Sequence, residues 1–143
     1  MANDDLAVLL VDDDDVSCEA VIRAFKKRKL DVTTVTAFDG YEALEILKGR
    51  HETKEINLPF VVLLDLNMPR MNGFELLEAM RKDPDLEQTV VFVISTSDDR
   101  KDVHRAYESQ IAGYMVKSEL GPQFEKLYTL LQNYKDSITF IRE

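Results

Sequence analysis

The chain has a single cysteine, Cys18, so no internal disulfide can form, and a reducing compartment fits. It is short of positive charge. Eighteen Lys and Arg stand against twenty-seven Asp and Glu, a net charge of −9 and a sequence pI near 4.7, which argues against nucleic acid as a direct partner. No apolar run approaches the roughly 20 residues of a membrane span, so no membrane role is expected. The polar, acidic start Met-Ala-Asn-Asp-Asp is no secretory signal, and the expected location is cytoplasmic. There is no internal repeat and no low-complexity segment. What is present, 45% hydrophobic and 31% charged residues over 143 positions, describes one ordinary globular domain. Its core is expected over about residues 6–135, with 136–143 as a tail that extends the last helix, pairs with something or frays.

Residues 60–64, Phe-Val-Val-Leu-Leu, form the stretch around which the chain is organised. An unbroken apolar run of that length reads as a strand buried on both faces. It delivers one carboxylate, Asp65, at its exit, and Pro69, Asn72 and Gly73 then force a loop. A buried acid is costly unless it is paired. Further strands are predicted over residues 6–11, 32–37, 90–94 and 111–116. The strand at 32–37, where β-branched Thr and Val alternate, is the least apolar and belongs nearer an edge.

Helical spacing fills the gaps between strands. The first helix carries Cys18, Val21, Ile22 and Phe25 and runs to about Leu30. Its cationic end is Arg23, Lys26, Lys27, Arg28 and Lys29, where the helix dipole favours positive charge. Asp39 can cap the second, which carries Tyr41, Leu44 and Leu47 and ends at Gly49. The third spans about 72–82 with Phe74, Leu77 and Met80 inward. Ser97 or Asp98 can cap the fourth, whose stripe is Val103, Ala106 and Tyr107. The fifth, entered through Gly121-Pro122, carries Phe124, Leu127, Tyr128, Leu131 and Tyr134. Residues 50–58 read as an exposed polar loop, and His51 and His104 as solvated. Five βα units in strict alternation imply an α/β fold, a doubly wound parallel sheet with helices on both faces.

Such sheets bind ligands beyond the carboxyl ends of their strands. Four of the five predicted strands deliver polar groups there: Asp12 and Asp13, Asp65, Ser95 and Thr96, and Lys117. Three carboxylates at one rim repel one another unless a cation intervenes. Oxygen-only ligands select a hard ion such as Mg2+, which keeps some of its waters and accepts phosphate oxygens. Lys117 can add a point charge and Ser95 or Thr96 a hydroxyl. The set reads as a phosphoryl site, with Asp65 the candidate nucleophile through an aspartyl phosphate. Asp14 and Asp15 read as helix caps and dipole partners.

Four segments, residues 9–14, 63–75, 93–97 and 113–117, together resemble the receiver domain of two-component response regulators, of the single-domain chemotaxis-regulator type. The strand end at 95–97 and the 50–58 loop are similar to the small regulators that partner phytochrome-type histidine kinases. The resemblance implies a flavodoxin-like (βα)5 sheet in strand order 2-1-3-4-5 over a single receiver domain, 1–143. It implies Asp65 as phosphoacceptor, and Asp12, Asp13, Asp65 and the backbone carbonyl of Asn67 as ligands of Mg2+, for which Mn2+ or Ca2+ could substitute. Lys117 then contacts the phosphoryl group, Thr96 lies on its access path, and Ser95 and Tyr114 form the switch. Ser95 stands thirty positions after Asp65 and twenty-two before Lys117, the family spacing.

The implied partners are a sensor histidine kinase or histidine phosphotransfer protein, with neither nucleic acid nor membrane. A homodimer through helix 4, strand 5 and helix 5 would display Tyr107, Tyr114 and Tyr128. The implied role is that of a signalling phosphoacceptor and not an enzyme acting on external substrates, without a DNA-binding output domain. A receiver-shaped binding module that works without phosphate is the alternative. A phosphohydrolase of the aspartate-nucleophile kind would need a second acid two residues after Asp65, where Asn67 stands. The family usually has proline after the lysine, often through a cis bond. Here Ser118 follows Lys117, so the expectation is a rearranged loop or an unusual peptide.

Overall fold

The computed structural model describes residues 6–141. In chain order it contains β1 (Leu6–Val11), α1 (Asp15–Lys27), β2 (Val32–Ala37), α2 (Gly40–Leu47), β3 (Phe60–Leu64), α3 (Gly73–Lys82), β4 (Val91–Ser95), α4 (Arg100–Glu108), β5 (Gly113–Val116) and α5 (Glu125–Ser137). Every strand pair is parallel and the order is β2-β1-β3-β4-β5. This is the flavodoxin-like, doubly wound sheet that the alternation and the resemblance imply, with β2 at an edge.

The apolar runs divide by strand alternation between two cores. Leu9, Val11, Val62 and Leu64 pack with α2, α3 and Ala106 of α4 on one face. Leu6, Val8, Leu10, Val61 and Leu63 pack with Cys18, Val21 and Phe25 of α1 and with Leu127 and Leu131 of α5 on the other. Strands β1 and β3 are buried on both faces, which is why they lack polar positions until their ends.

Several local expectations change. Helix α1 stops at Lys27, because Lys29 adopts a left-handed φ of 58° and the Leu30 amide returns to the Phe25 carbonyl at 2.9 Å. The inward face of α3 is Leu76, Leu77 and Met80, and Phe74 is only half-buried at the rim. Asp99, rather than Ser97 or Asp98, caps α4, and Tyr107 is 48% exposed instead of lying inward. Strand β5 is two residues shorter than expected. A 3-10 turn over Pro122–Phe124, with Gln123 and Phe124 at positive φ, precedes α5.

The loop at 50–58 is pinned, and His51 is not solvated. Its Nε2 lies 2.9 Å from Glu42 Oε2, and its Nδ1 accepts from the amides of Thr53 and Lys54. His104 is solvent-exposed as expected. Of the tail, residues 136–137 complete α5, and the Phe140 ring stands 5.6 Å from that of Tyr134. Residues 1–5 and 142–143 lie outside the described residues, and with them the start of the chain and the last two tail positions. Among the described residues no helix is long and apolar enough to cross a membrane.

Candidate functional site

Register alone brings the acids together. Val11 pairs with Leu64, and the Asp65 amide donates to the Val11 carbonyl at 2.9 Å, so Asp12 and Asp65 leave adjacent strands side by side. Asp13 joins them. One carboxylate oxygen from each of Asp12, Asp13 and Asp65 lies within 4.8 Å of the other two. Asp12 and Asp65 are buried, and Asp13 is half-buried. Glycine lets the next turn close over Asp65. A Cβ on Gly73 would stand 2.6 Å from the Asp65 carbonyl oxygen, so only glycine permits α3 to start this close to the end of β3. Gly40 allows the same approach of α2 to Met71, where a Cβ would meet that side chain at 2.5 Å. Asn72 completes a capping box with Glu75, which anchors the far end of the loop.

Lys117 reaches this rim. Its Nζ donates to Asp12 Oδ2 at 2.9 Å and to Ser17 Oγ at 3.3 Å, so it is tied to Asp12 rather than to Asp65. The only cis peptide among the described residues is Leu58–Pro59. The Lys117–Ser118 bond is trans, and the chain turns through a 3-10 segment at Lys117–Glu119. Of the two expectations for this loop, the unusual cis peptide is not observed.

The electrostatics follow from burial and charge. Burial first, then the neighbouring Asp12 charge, push the Asp65 carboxyl up to about 6, against the opposing pull of Lys117. Burial is the largest single influence on Lys117 and opposes its positive charge, but its bond to Asp12 and the charges of Asp12, Asp65 and Asp14 together outweigh it and raise the pKa. Cys18, whose Sγ lies 3.7 Å from the Asp12 carbonyl, is driven by burial and then by Asp12 and Asp15 to about 12 and stays a thiol.

A chain of hydrogen bonds leads away from the rim. Ser95 is fully buried, and its Oγ accepts from the Ser97 amide at 3.1 Å. The Ser97 hydroxyl donates to Asp102 at 2.7 Å, and its carbonyl accepts from the Tyr114 hydroxyl at 2.8 Å. Thr96, the residue after β4, is exposed. The Asn67 amide donates to Asp65 Oδ1 at 3.4 Å. The structure thus gathers Asp12, Asp13, Asp65, Asn67, Lys117 and Ser95 at one edge and connects Ser95 to Tyr114 through Ser97.

Three features escape a reading by sequence position. Ser17 shares the Lys117 ammonium. Ser97 links Ser95 to Tyr114; the hydroxyl run at 95–97 marked the region but not this role. Arg70 hydrogen-bonds Asp39 at 2.7 Å, a carboxylate with 0% exposure that also caps α2 at Glu42. That pair ties the loop after Asn67 to the start of α2. Asp14 caps α1 as expected.

The comparisons agree with this geometry. Residues 8–130 match the model of the response regulator receiver domain. Response regulator Rcp1 of Synechocystis sp. is 32% identical over 117 residues, covering 82% of this chain and 80% of that protein. Chemotaxis protein CheY1 of Helicobacter pylori is 30% identical over 109 residues, 76% of this chain and 83% of that one. Among solved structures, the Mn2+-bound form of Rcp1 superposes with a TM-score of 0.80 at 28% identity, covering 94% of this chain and 98% of that chain. The phosphorylated cyanobacterial phytochrome response regulator RcpA gives 0.79 at 27%, covering 94% and 96%. With a family match along most of its length and relatives of its own size, this chain belongs to the response regulator receiver domain family.

Proposed function

We propose that this receiver domain is a phosphorylation-dependent protein switch, with Asp65 accepting a phosphoryl group from the phosphohistidine of a sensor kinase or phosphotransfer protein. The carrying observation is the convergence of Asp12, Asp13 and Asp65 within 4.8 Å, with Lys117 at the same edge. A structural neighbour named as a phosphorylated phytochrome response regulator supports phosphoryl acceptance in a two-component pair. In the transfer, Asp65 Oδ forms a bond to phosphorus as the donor's N–P bond breaks. The bonding pair stays with the imidazole nitrogen, which takes up a proton. The protein is then a stoichiometric acceptor and not a catalyst of turnover on external substrates.

The donor set suits a hard divalent cation: three carboxylates, the Asn67 carbonyl, no histidine, and the Cys18 sulfur held as thiol. Asp12, Asp13, Asp65 and the Asn67 carbonyl would hold Mg2+, with Mn2+ or Ca2+ as substitutes. When bound, the ion supplies charge neutralisation for the phosphoryl oxygens. Lys117 supplies a further positive charge once it lets go of Asp12. Ser95 swings its hydroxyl oxygen to donate to the phosphoryl group, which carries that oxygen out of reach of the Ser97 amide. The Ser97 carbonyl then no longer fixes Tyr114, and the face formed by α4, β5 and α5 changes its affinity for partners, a second copy of the chain among them.

The test is incubation with acetyl phosphate and Mg2+, read by intact mass. The expected result is a gain of one phosphoryl group that is lost in Asp65→Asn and in excess EDTA. A wild-type protein that gains no mass refutes the reading.

A further inference from the structure

Beside the acidic rim lies an open cavity of about 540 Å³ whose lining includes Asp13, Asn67, Met68, Asn72, Phe74 and Arg105. Its one cation, Arg105, comes from α4. The guanidinium carbon stands 4.1 Å from the centroid of the Phe74 ring, a cation–π contact that fixes the group across the gap between α3 and α4. A contact of this kind holds the guanidinium without using its N–H groups in conventional hydrogen bonds. Among the described residues, no carboxylate or carbonyl accepts a hydrogen bond from Arg105. Three cations elsewhere near the rim are engaged: Lys117 with Asp12 and Ser17, Arg70 with Asp39, and Lys54 with Glu42 and the Thr36 carbonyl.

We infer that Arg105 is the docking cation for the incoming phosphoryl donor, binding a phosphoryl dianion at the mouth before it reaches Asp65. This deepens the phosphoacceptor reading and rests on it. A dianion approaching a chain of net charge −9 through a rim of carboxylates is repelled. A guanidinium with free donors in the cavity that Asp13 and Asn67 also line offsets the repulsion and offers paired hydrogen bonds to two phosphoryl oxygens. In the step that follows, the Asp65 Oδ–P bond forms, the bond from phosphorus to the donor's oxygen or nitrogen breaks, and the electron pair leaves with that group. Arg105 takes no part in this bond exchange, so it affects how tightly the donor is held and not how fast a docked donor reacts. The same phosphoryl group arrives on a small acyl phosphate or on a phosphohistidine.

The experiment measures the initial rate of Asp65 phosphorylation against donor concentration, with saturating Mg2+. One arm uses acetyl phosphate and the other phosphoramidate, whose P–N bond stands for phosphohistidine. Arg105→Ala is expected to raise the half-saturating concentration about tenfold with little change in the limiting rate. Arg105→Lys, which keeps the charge but not the fork, should recover part of that loss. Arg100→Ala removes the same charge from the same helix and should leave the half-saturating concentration unchanged. A shift with either donor supports the inference, and the donor that shows it identifies the source recognised. Wild-type half-saturation in Arg105→Ala with both donors, or an equal shift in Arg100→Ala, overturns it while leaving Asp65 as the acceptor. A wild-type protein that takes phosphate from neither donor overturns both.

Discussion

Replacing Asp65 by asparagine should make the metal-free protein more stable at neutral pH, although it removes the group on which the proposed function depends. Asp65 is 8% exposed and shares its surroundings with Asp12 and Asp13. A carboxyl held at about 6 instead of 3.8 corresponds to about 3 kcal/mol against the ionised form. Above pH 6 both folded and unfolded chains carry the charge, and the folded state bears this cost in full. As pH falls from 6 towards 3.8 the folded protein takes up the proton first, and the cost fades. Below 3.8 none remains.

Asparagine keeps the shape without the charge. It loses part of the 3.4 Å bond from the Asn67 amide, so the net gain should be about 1–3 kcal/mol. For a chain of this size that raises Tm by about 3–8 °C. Thermal unfolding in EDTA at pH 7.5 and at pH 4 measures it. The expected result is a clear rise at pH 7.5, almost none at pH 4, and a smaller difference at pH 7.5 when Mg2+ replaces EDTA. A variant no more stable than wild type at pH 7.5 in EDTA, or a gain independent of pH, would refute the reasoning.

Two further outcomes follow from the ion pairs. Lys117→Met strands the buried Asp12 and should cost about 2–4 kcal/mol in urea unfolding at pH 7.5. Because the folded-state pKa of Lys117 is raised, that contribution is complete below 10.5 and lost as pH climbs past it, so the difference between the proteins should shrink in strong alkali. Arg70→Ala leaves the fully buried Asp39 without its cation and should cost about 2 kcal/mol, while Asp39→Asn with Arg70→Ala should recover part of it. Strict additivity in that double-mutant cycle would show that the two side chains are not coupled.

The fold was legible because buried parallel strands leave a plain trace. Residues 6–11, 60–64 and 91–94 are apolar without interruption, and helices cover these strands on both faces of the sheet. The site was legible for a related reason. In such a sheet all strands end at one rim, so Asp12, Asp65, Ser95 and Lys117 converge whatever the helices do. What stayed hidden depends on contacts between elements. His51 looked solvated because its partner, Glu42, lies on α2. Arg70 finds Asp39 thirty-one positions away. The cap of α4 was ambiguous because Ser97, Asp98 and Asp99 all satisfy the preference; Ser97 is engaged locally with Ser95 and Asp102, and Asp99 accepts from the Lys101 amide. Periodicity put Tyr107 on the apolar stripe but carries no information on how deep that stripe sits.

The most direct test of the account locates the acyl phosphate. Protein treated with acetyl phosphate and Mg2+ is reduced with borohydride, which converts an aspartyl phosphate to homoserine, and is then digested and sequenced by mass spectrometry. The account predicts homoserine at position 65 and unmodified aspartate at positions 12 and 13. Homoserine at another aspartate, or at none, would contradict it.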